Sequence, residues 1–197
     1  MSVTASSTLW YAARAGGIVT YLALTATALA GLLLAGRPRL RRWPRFALED
    51  VHRFLGLLVW VFGGLHVLSI AVDTYLPFTL ESFVVPFTAP YRPFWTGLGV
   101  ISFELLLAVG ITNRLRRRLP HRVWRAVHVV NVPTWALATL HAAVAGTDRG
   151  EPWFVAFLLG STTAVGAALV SRLRRRPPRP ARRAAPSPRP GAFLDVS

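Results

Sequence analysis

Four histidines stand at positions where an ionisable side chain is costly. His52 and His66 are 14 residues apart in one apolar stretch, and His128 and His141 are 13 apart in another. At about 1.5 Å of rise per residue, a helix holds the members of each pair roughly 20 Å apart along its axis. Two such helices side by side present two matched pairs of imidazoles, one near each face of a membrane. Facing imidazoles at one level are what a haem iron needs to be gripped from both sides. Helix packing through small residues with incidental histidines is the bland alternative. Ionisable residues inside a bilayer are rare, so two pairs at matched depth favour function.

The donor set narrows the chemistry. Zinc draws three or four ligands into one small sphere, whereas each level here offers two histidines and no nearby carboxylate pair. The chain has no cysteine, which excludes disulfides, thiolate-held iron–sulfur clusters, covalent c-type haem and a thiol relay within it. Two axial imidazoles and four porphyrin nitrogens fill an iron's shell and leave no position open for substrate. Such an iron suits electron transfer. The competing function is a small multi-span transporter or scaffold whose histidines handle protons or metal ions. That protein is colourless and needs carboxylates or thiols beside its histidines.

The elements that position these residues are membrane helices. The 197 residues are 53% hydrophobic with a mean hydropathy of +0.42, too apolar for an ordinary soluble domain. A span needs about 20 apolar residues to cross a hydrocarbon core about 30 Å thick. Five stretches qualify, roughly 9–36, 51–75, 94–113, 124–145 and 152–173. The sequence therefore predicts an all-α integral membrane bundle of about five transmembrane helices, with haem between spans two and four. The N-terminal run has no basic region ahead of it and no clear cleavage site, and is expected to be a retained span. It is rich in Ala, Gly and Thr, with small residues four apart that let backbones approach closely.

All 23 basic residues are arginine, against 8 acidic ones, for a net charge of +15. The arginines crowd the ends of apolar blocks, which fits membrane topology and not a nucleic-acid groove; no nucleic-acid partner is expected. The connectors 37–45 and 114–122 and the tail from Arg172 are strongly basic. Those at 74–93 and 146–151 hold only Arg92 and Arg149, with Glu81, Asp148 and Glu151. The positive-inside rule puts the basic connectors and the C-terminus in the cytoplasm and the N-terminus outside, in the cell membrane. Spans two and four then run parallel. His52 must pair with His128 and His66 with His141.

On an ideal helix His52 and His66 fall within about 40° of one another, with Gly56, Val59 and Gly63 between them on the same stripe. Glycine there lets a flat macrocycle lie against the backbone. The 13-residue step leaves His141 about 140° from the His128 face. Pro133 removes one backbone bond, and the local irregularity is expected to bring both imidazoles to one side.

The 14 and 13 spacings, the opening His52-Arg-Phe-Leu-Gly-Leu, Leu65-His66 and Trp124-Arg-Ala-Val-His128 resemble the ferric reductase-like transmembrane domain. That superfamily includes NADPH oxidases, metalloreductases and MsrQ/YedZ-type haem membrane subunits. Tyr91-Arg-Pro-Phe-Trp-Thr-Gly-Leu-Gly-Val-Ile-Ser resembles the last of these. The likeness covers about residues 45–145. It implies a transmembrane b-type cytochrome, the membrane subunit of an oxidoreductase, with two haem b groups ligated by His52, His66, His128 and His141. Ferric reductases and NADPH oxidases carry a C-terminal FAD- and NAD(P)H-binding module. Here about 24 residues follow the last span, without a glycine-rich dinucleotide fingerprint. The chain is thus expected to work with separate donor and acceptor proteins, a flavoprotein or a quinone among them, with any flavin supplied by a partner. MsrQ/YedZ proteins can lack a histidine at the position of His52, which this chain has.

Arg53, next to His52, and Arg125, three residues before His128, are candidates for haem propionates, with Arg92 and Arg14 on the outer side, because guanidinium matches carboxylate bidentately. Interfacial snorkelling is the alternative for each. His121 reads as a surface histidine near the inner pair. Glu104, mid-span, is either a neutral hydrogen-bonded acid or a contact for protons or quinone. Asn131 is expected to bond a neighbouring helix. The apolar connector 76–87, broken by two prolines, is expected to lie along the interface. Residues 1–173 form the haem-binding domain, and 174–197 a disordered Arg/Pro-rich cytoplasmic tail close to anionic headgroups.

Overall fold

The computed structural model describes residues 3–36 and 44–174. The basic connector at 37–43 and the tail from residue 175 lie outside the described residues. The chain forms α1 (Val3–Gly36), α2 (Arg45–Val72), α3 (Leu80–Val84), α4 (Pro93–Arg114), α5 (His121–Val129), α6 (Asn131–Ala145) and α7 (Pro152–Arg174). Five helical stretches are long and apolar enough to cross a membrane, α5 and α6 together making one of them. This is the all-α, five-span architecture expected from hydropathy.

Helix α2 begins at Arg45, a turn and a half before its apolar run. Its polar start is held by Arg45–Glu49 at 3.0 Å and Asp50–Arg53 at 3.4 Å, pairs at the spacing that brings side chains together on one helix face. Pro93 opens α4, where a missing N–H costs nothing.

Helix α1 packs closely along α2 and also meets α6 and α7, while α4 packs on α5 and α6. Small residues permit the α1–α2 approach: a Cβ on Gly16 would lie 3.1 Å from the backbone nitrogen of His66. Polar bonds tie the other contacts. The Trp135 indole donates to Thr25 at 2.9 Å, Tyr21 and Thr139 share a bond of 3.1 Å, and Ser102 donates to the Thr134 carbonyl at 3.1 Å. Tyr21, Leu24, Val59, Trp135 and Val165 form the buried centre. Among the described residues, no extensive packing joins α2 to the α5–α6 helix. They face one another across open space, with α1 packed against both α2 and α6.

The fourth span is interrupted at Val130. Proline has no N–H to continue the ladder, and Thr134 returns to the Val130 carbonyl through both its backbone N–H (3.0 Å) and its hydroxyl (2.8 Å). The Asn131 amide donates to the carbonyl of His128 at 3.0 Å. Asn131 therefore bonds within its own span, at the break, where a neighbouring helix was expected to receive it.

The connector after α2 is not wholly irregular. Thr79 caps the short α3, leaving Leu80 and Val84 exposed and Ser82 buried. Phe87, at φ 73, packs where a Cβ on Gly97 would stand, so only glycine fits that position.

Candidate functional site

The open space between α2 and α5–α6 is divided into two cavities, and each contains one histidine from either side. The first, about 860 Å³, holds His52 and His128; the second, about 520 Å³, holds His66 and His141. Ring centroids are 6.1 Å apart in the first pair and 6.4 Å in the second. Because His52 meets His128 and His66 meets His141, α2 and the α5–α6 helix run parallel. Leu24, Val59, Trp60 and Leu106 line both cavities and form the wall between them. Gly56 lines the first cavity and Gly63 the second, on the stripe that joins the two histidines of α2.

Three of the imidazoles are held from behind by a backbone carbonyl. The Nδ1–H of His52 donates to Thr27 at 3.1 Å, that of His66 to Ala13 at 2.6 Å and that of His141 to Trp95 at 2.9 Å. A proton fixed on Nδ1 leaves the Nε2 lone pair free, the state a metal-binding imidazole requires. His128 differs. Its Nδ1 is buried without a partner, and its ring lies against Trp124.

These supports come largely from helices without site histidines. Thr27 and Ala13 belong to α1 and Trp95 to α4. Glycines make room for the rings: a Cβ would lie 3.2 Å from the His52 ring at Gly31, 3.0 Å from His66 Nδ1 at Gly17, and 2.6 Å from His141 Nδ1 at Gly99. The sequence marks α1 as rich in small residues but not which glycine faces which ring. The sequence marks Gly99 only as one residue of the stretch from Tyr91 to Ser102.

The arginines divide unequally. Arg53 and Arg125 line the first cavity, with Arg45, Arg116 and Arg172. Arg14 lines the second, but its guanidinium closes on Asp148, with Nε donating to Oδ2 at 2.8 Å and a second, shorter bond from the neighbouring nitrogen. Arg92 stands beside Tyr91 and donates to the Val144 carbonyl. His121 is exposed at the mouth of the first cavity, tilted over Trp124 with centroids 5.6 Å apart. Glu104 is half-buried and lines neither cavity. Among the described residues, no three His, Asp or Glu side chains converge as a self-sufficient metal centre. The site consists of pairs.

No curated protein and no solved structure matches the chain. A family model described as "Ferric reductase like transmembrane component" matches residues 16–143, a stretch that holds all four histidines and the wall between the cavities. The match takes in well over half of the sequence and agrees with the five membrane-length helices. The family is generally haem-binding. The chain therefore belongs to the ferric reductase-like transmembrane family and is an integral membrane redox subunit.

Proposed function

We propose that this protein carries electrons across the membrane through two b-type haems, one in each cavity, held by His52 with His128 and by His66 with His141. The observation that carries this is the separation of the facing rings, 6.1 and 6.4 Å. Two imidazoles gripping one ion from opposite sides, each nitrogen roughly 2 Å from it, have ring centres roughly 6 Å apart. The carbonyls of Thr27, Ala13 and Trp95 support this by holding three rings in the ligating tautomer.

His52 with His128 and His66 with His141 would hold haem, which would supply a one-electron couple when bound. The chain supplies orientation and insulation. Three of the four rings are braced from behind by a carbonyl, which limits their movement as charge changes. Val59 and its neighbours keep water out of the space between the pairs. Arg53 and Arg125 at the first cavity, and Arg92 beside the second, are the propionate partners in this reading. Arg14 is already committed to Asp148.

In this reading the His52–His128 pair is on the cytoplasmic side, the N-terminus outside, and residues 174–197 a cytoplasmic tail on a haem-binding domain of 1–173; the arginine-rich connectors 37–45 and 114–122 support that orientation by the positive-inside rule. Electrons pass between separate donor and acceptor partners, a flavoprotein or a quinone being suited to either role. Any flavin belongs to a partner.

The test is a reduced-minus-oxidised visible spectrum of the purified protein, with haem counted per chain. Two low-spin b-type haems are expected. One haem removes half of the path and with it this reading. A colourless protein, expressed with ample haem, replaces it with the transporter or scaffold reading.

A further inference from the structure

Among the described residues, His128 Nδ1 is the one buried side-chain nitrogen or oxygen without a hydrogen-bond partner. The other three site histidines each have a carbonyl at that position. The fourth span is interrupted two residues after His128, at Val130, and no carbonyl accepts from this ring. The Trp124 indole takes that role. Its plane lies 20° from that of His128, with centroids 5.0 Å apart, within the range of offset aromatic stacking.

Trp124 is itself held on several sides. Its Nε1–H donates to Asn113 Oδ1 at 2.8 Å near the end of α4. The Arg116 guanidinium lies 5.6 Å from its ring centre, and His121 tilts against it. A hydrogen bond fixes the indole in its plane, and a cation over the face favours that placement. Trp124 lies one turn before His128 on α5, and its contacts with α4 and the connector after it fix the face on which the imidazole rests.

We infer that Trp124 is a positioning residue for His128, its indole face holding the imidazole plane as a backbone carbonyl holds the other three. This rests on the proposed function, in which His52 and His128 share one haem. The angle between those two imidazole planes, 67° here, affects the spectroscopic anisotropy of a low-spin centre. Without the stacking face the His128 ring can turn about its own bond.

The experiment uses the full chain loaded with haem b, haem counted per chain, and low-temperature electron paramagnetic resonance of the ferric protein. His128→Ala identifies the inner signal as the one it abolishes. Trp124→Leu is expected to shift and broaden that signal, move the inner midpoint potential and weaken haem retention there roughly 10-fold. The outer signal stays unchanged. Trp124→Phe restores the inner signal, because a phenyl face still stacks, and Asn113→Ala moves it in the same direction by less. An unchanged inner signal in Trp124→Leu, or equal effects of Leu and Phe, overturns the inference. Should Trp124→Leu fail to assemble, an unchanged inner signal in Asn113→Ala overturns it. A wild-type protein without two bis-histidine haems defeats the functional reading first, and this inference with it.

Discussion

His141 rests on Gly99. A Cβ added to Gly99 would lie 2.6 Å from Nδ1 of the ring and 2.7 Å from its Cε1, inside contact distance. The same nitrogen donates to the Trp95 carbonyl one turn earlier on α4, so the ring is seated against that helix by an absent side chain and a backbone oxygen together. Gly99→Ala should push His141 off its seat and break its bond to Trp95. The expected result is a loss of outer haem affinity of roughly 10–100-fold, the usual cost of disturbing a ligand's support, with the inner haem retained. Haem per chain and the split of the visible band measure it.

Replacing the histidines one at a time should separate the two centres. His66→Ala and His141→Ala each leave one haem, with the same residual spectrum; His52→Ala and His128→Ala leave the other. If all four variants kept full haem content, the proposed ligand set would be wrong.

The interruption of the fourth span should matter for the alignment of its two rings. Pro133→Ala restores an N–H, so the ladder can run on through Val130. A regular helix would separate the faces of His128 and His141 by about 140°. The expected outcome is loss of one haem without loss of helix content, measured by pyridine haemochrome assay alongside circular dichroism.

Arg14 and Asp148 join α1 to the connector between α6 and α7, with Asp148 only 5% exposed. Arg14→Ala leaves that carboxylate without its guanidinium. Because Arg14 is itself about a third exposed, the cost should fall near the low end of the roughly 1–3 kcal/mol for an unpaired buried polar group. Asp148→Asn should cost less than Arg14→Ala, since a neutral amide still accepts a hydrogen bond. Thermal unfolding in detergent, followed by loss of the Soret band, would order the two.

Much of this arrangement was legible from residue order. Hydropathy places five spans, and the histidine separations require one pair at each level, as the parallel course of α2 and α5–α6 confirms. Periodicity also carries Gly56, Val59 and Gly63 to the cavity side. What stands behind the rings was not legible. The carbonyls of Ala13, Thr27 and Trp95 are present at every residue whatever its type, so no sequence pattern marks them. Arg14 and Asp148 lie 134 residues apart, and only the packing of α1 against the last loop brings them together. The bond of Asn131 to the His128 carbonyl, in place of the expected neighbouring helix, depends on the break at Val130, which has no signature beyond the proline that follows it.

The wall formed by Leu24, Val59, Trp60 and Leu106 has an electrical consequence. It is an apolar wall between the cavity of the His52–His128 pair and that of the His66–His141 pair, so an ion following an electron through it would have to shed its water. On the proposed function each transfer then moves bare charge through the membrane field, uncompensated along its route. A potential of 100 mV adds or removes about 2.3 kcal/mol for one elementary charge crossing the full membrane. The rate between the two centres should therefore respond to voltage, and in sealed vesicles turnover should build a potential that slows itself until an ionophore discharges it.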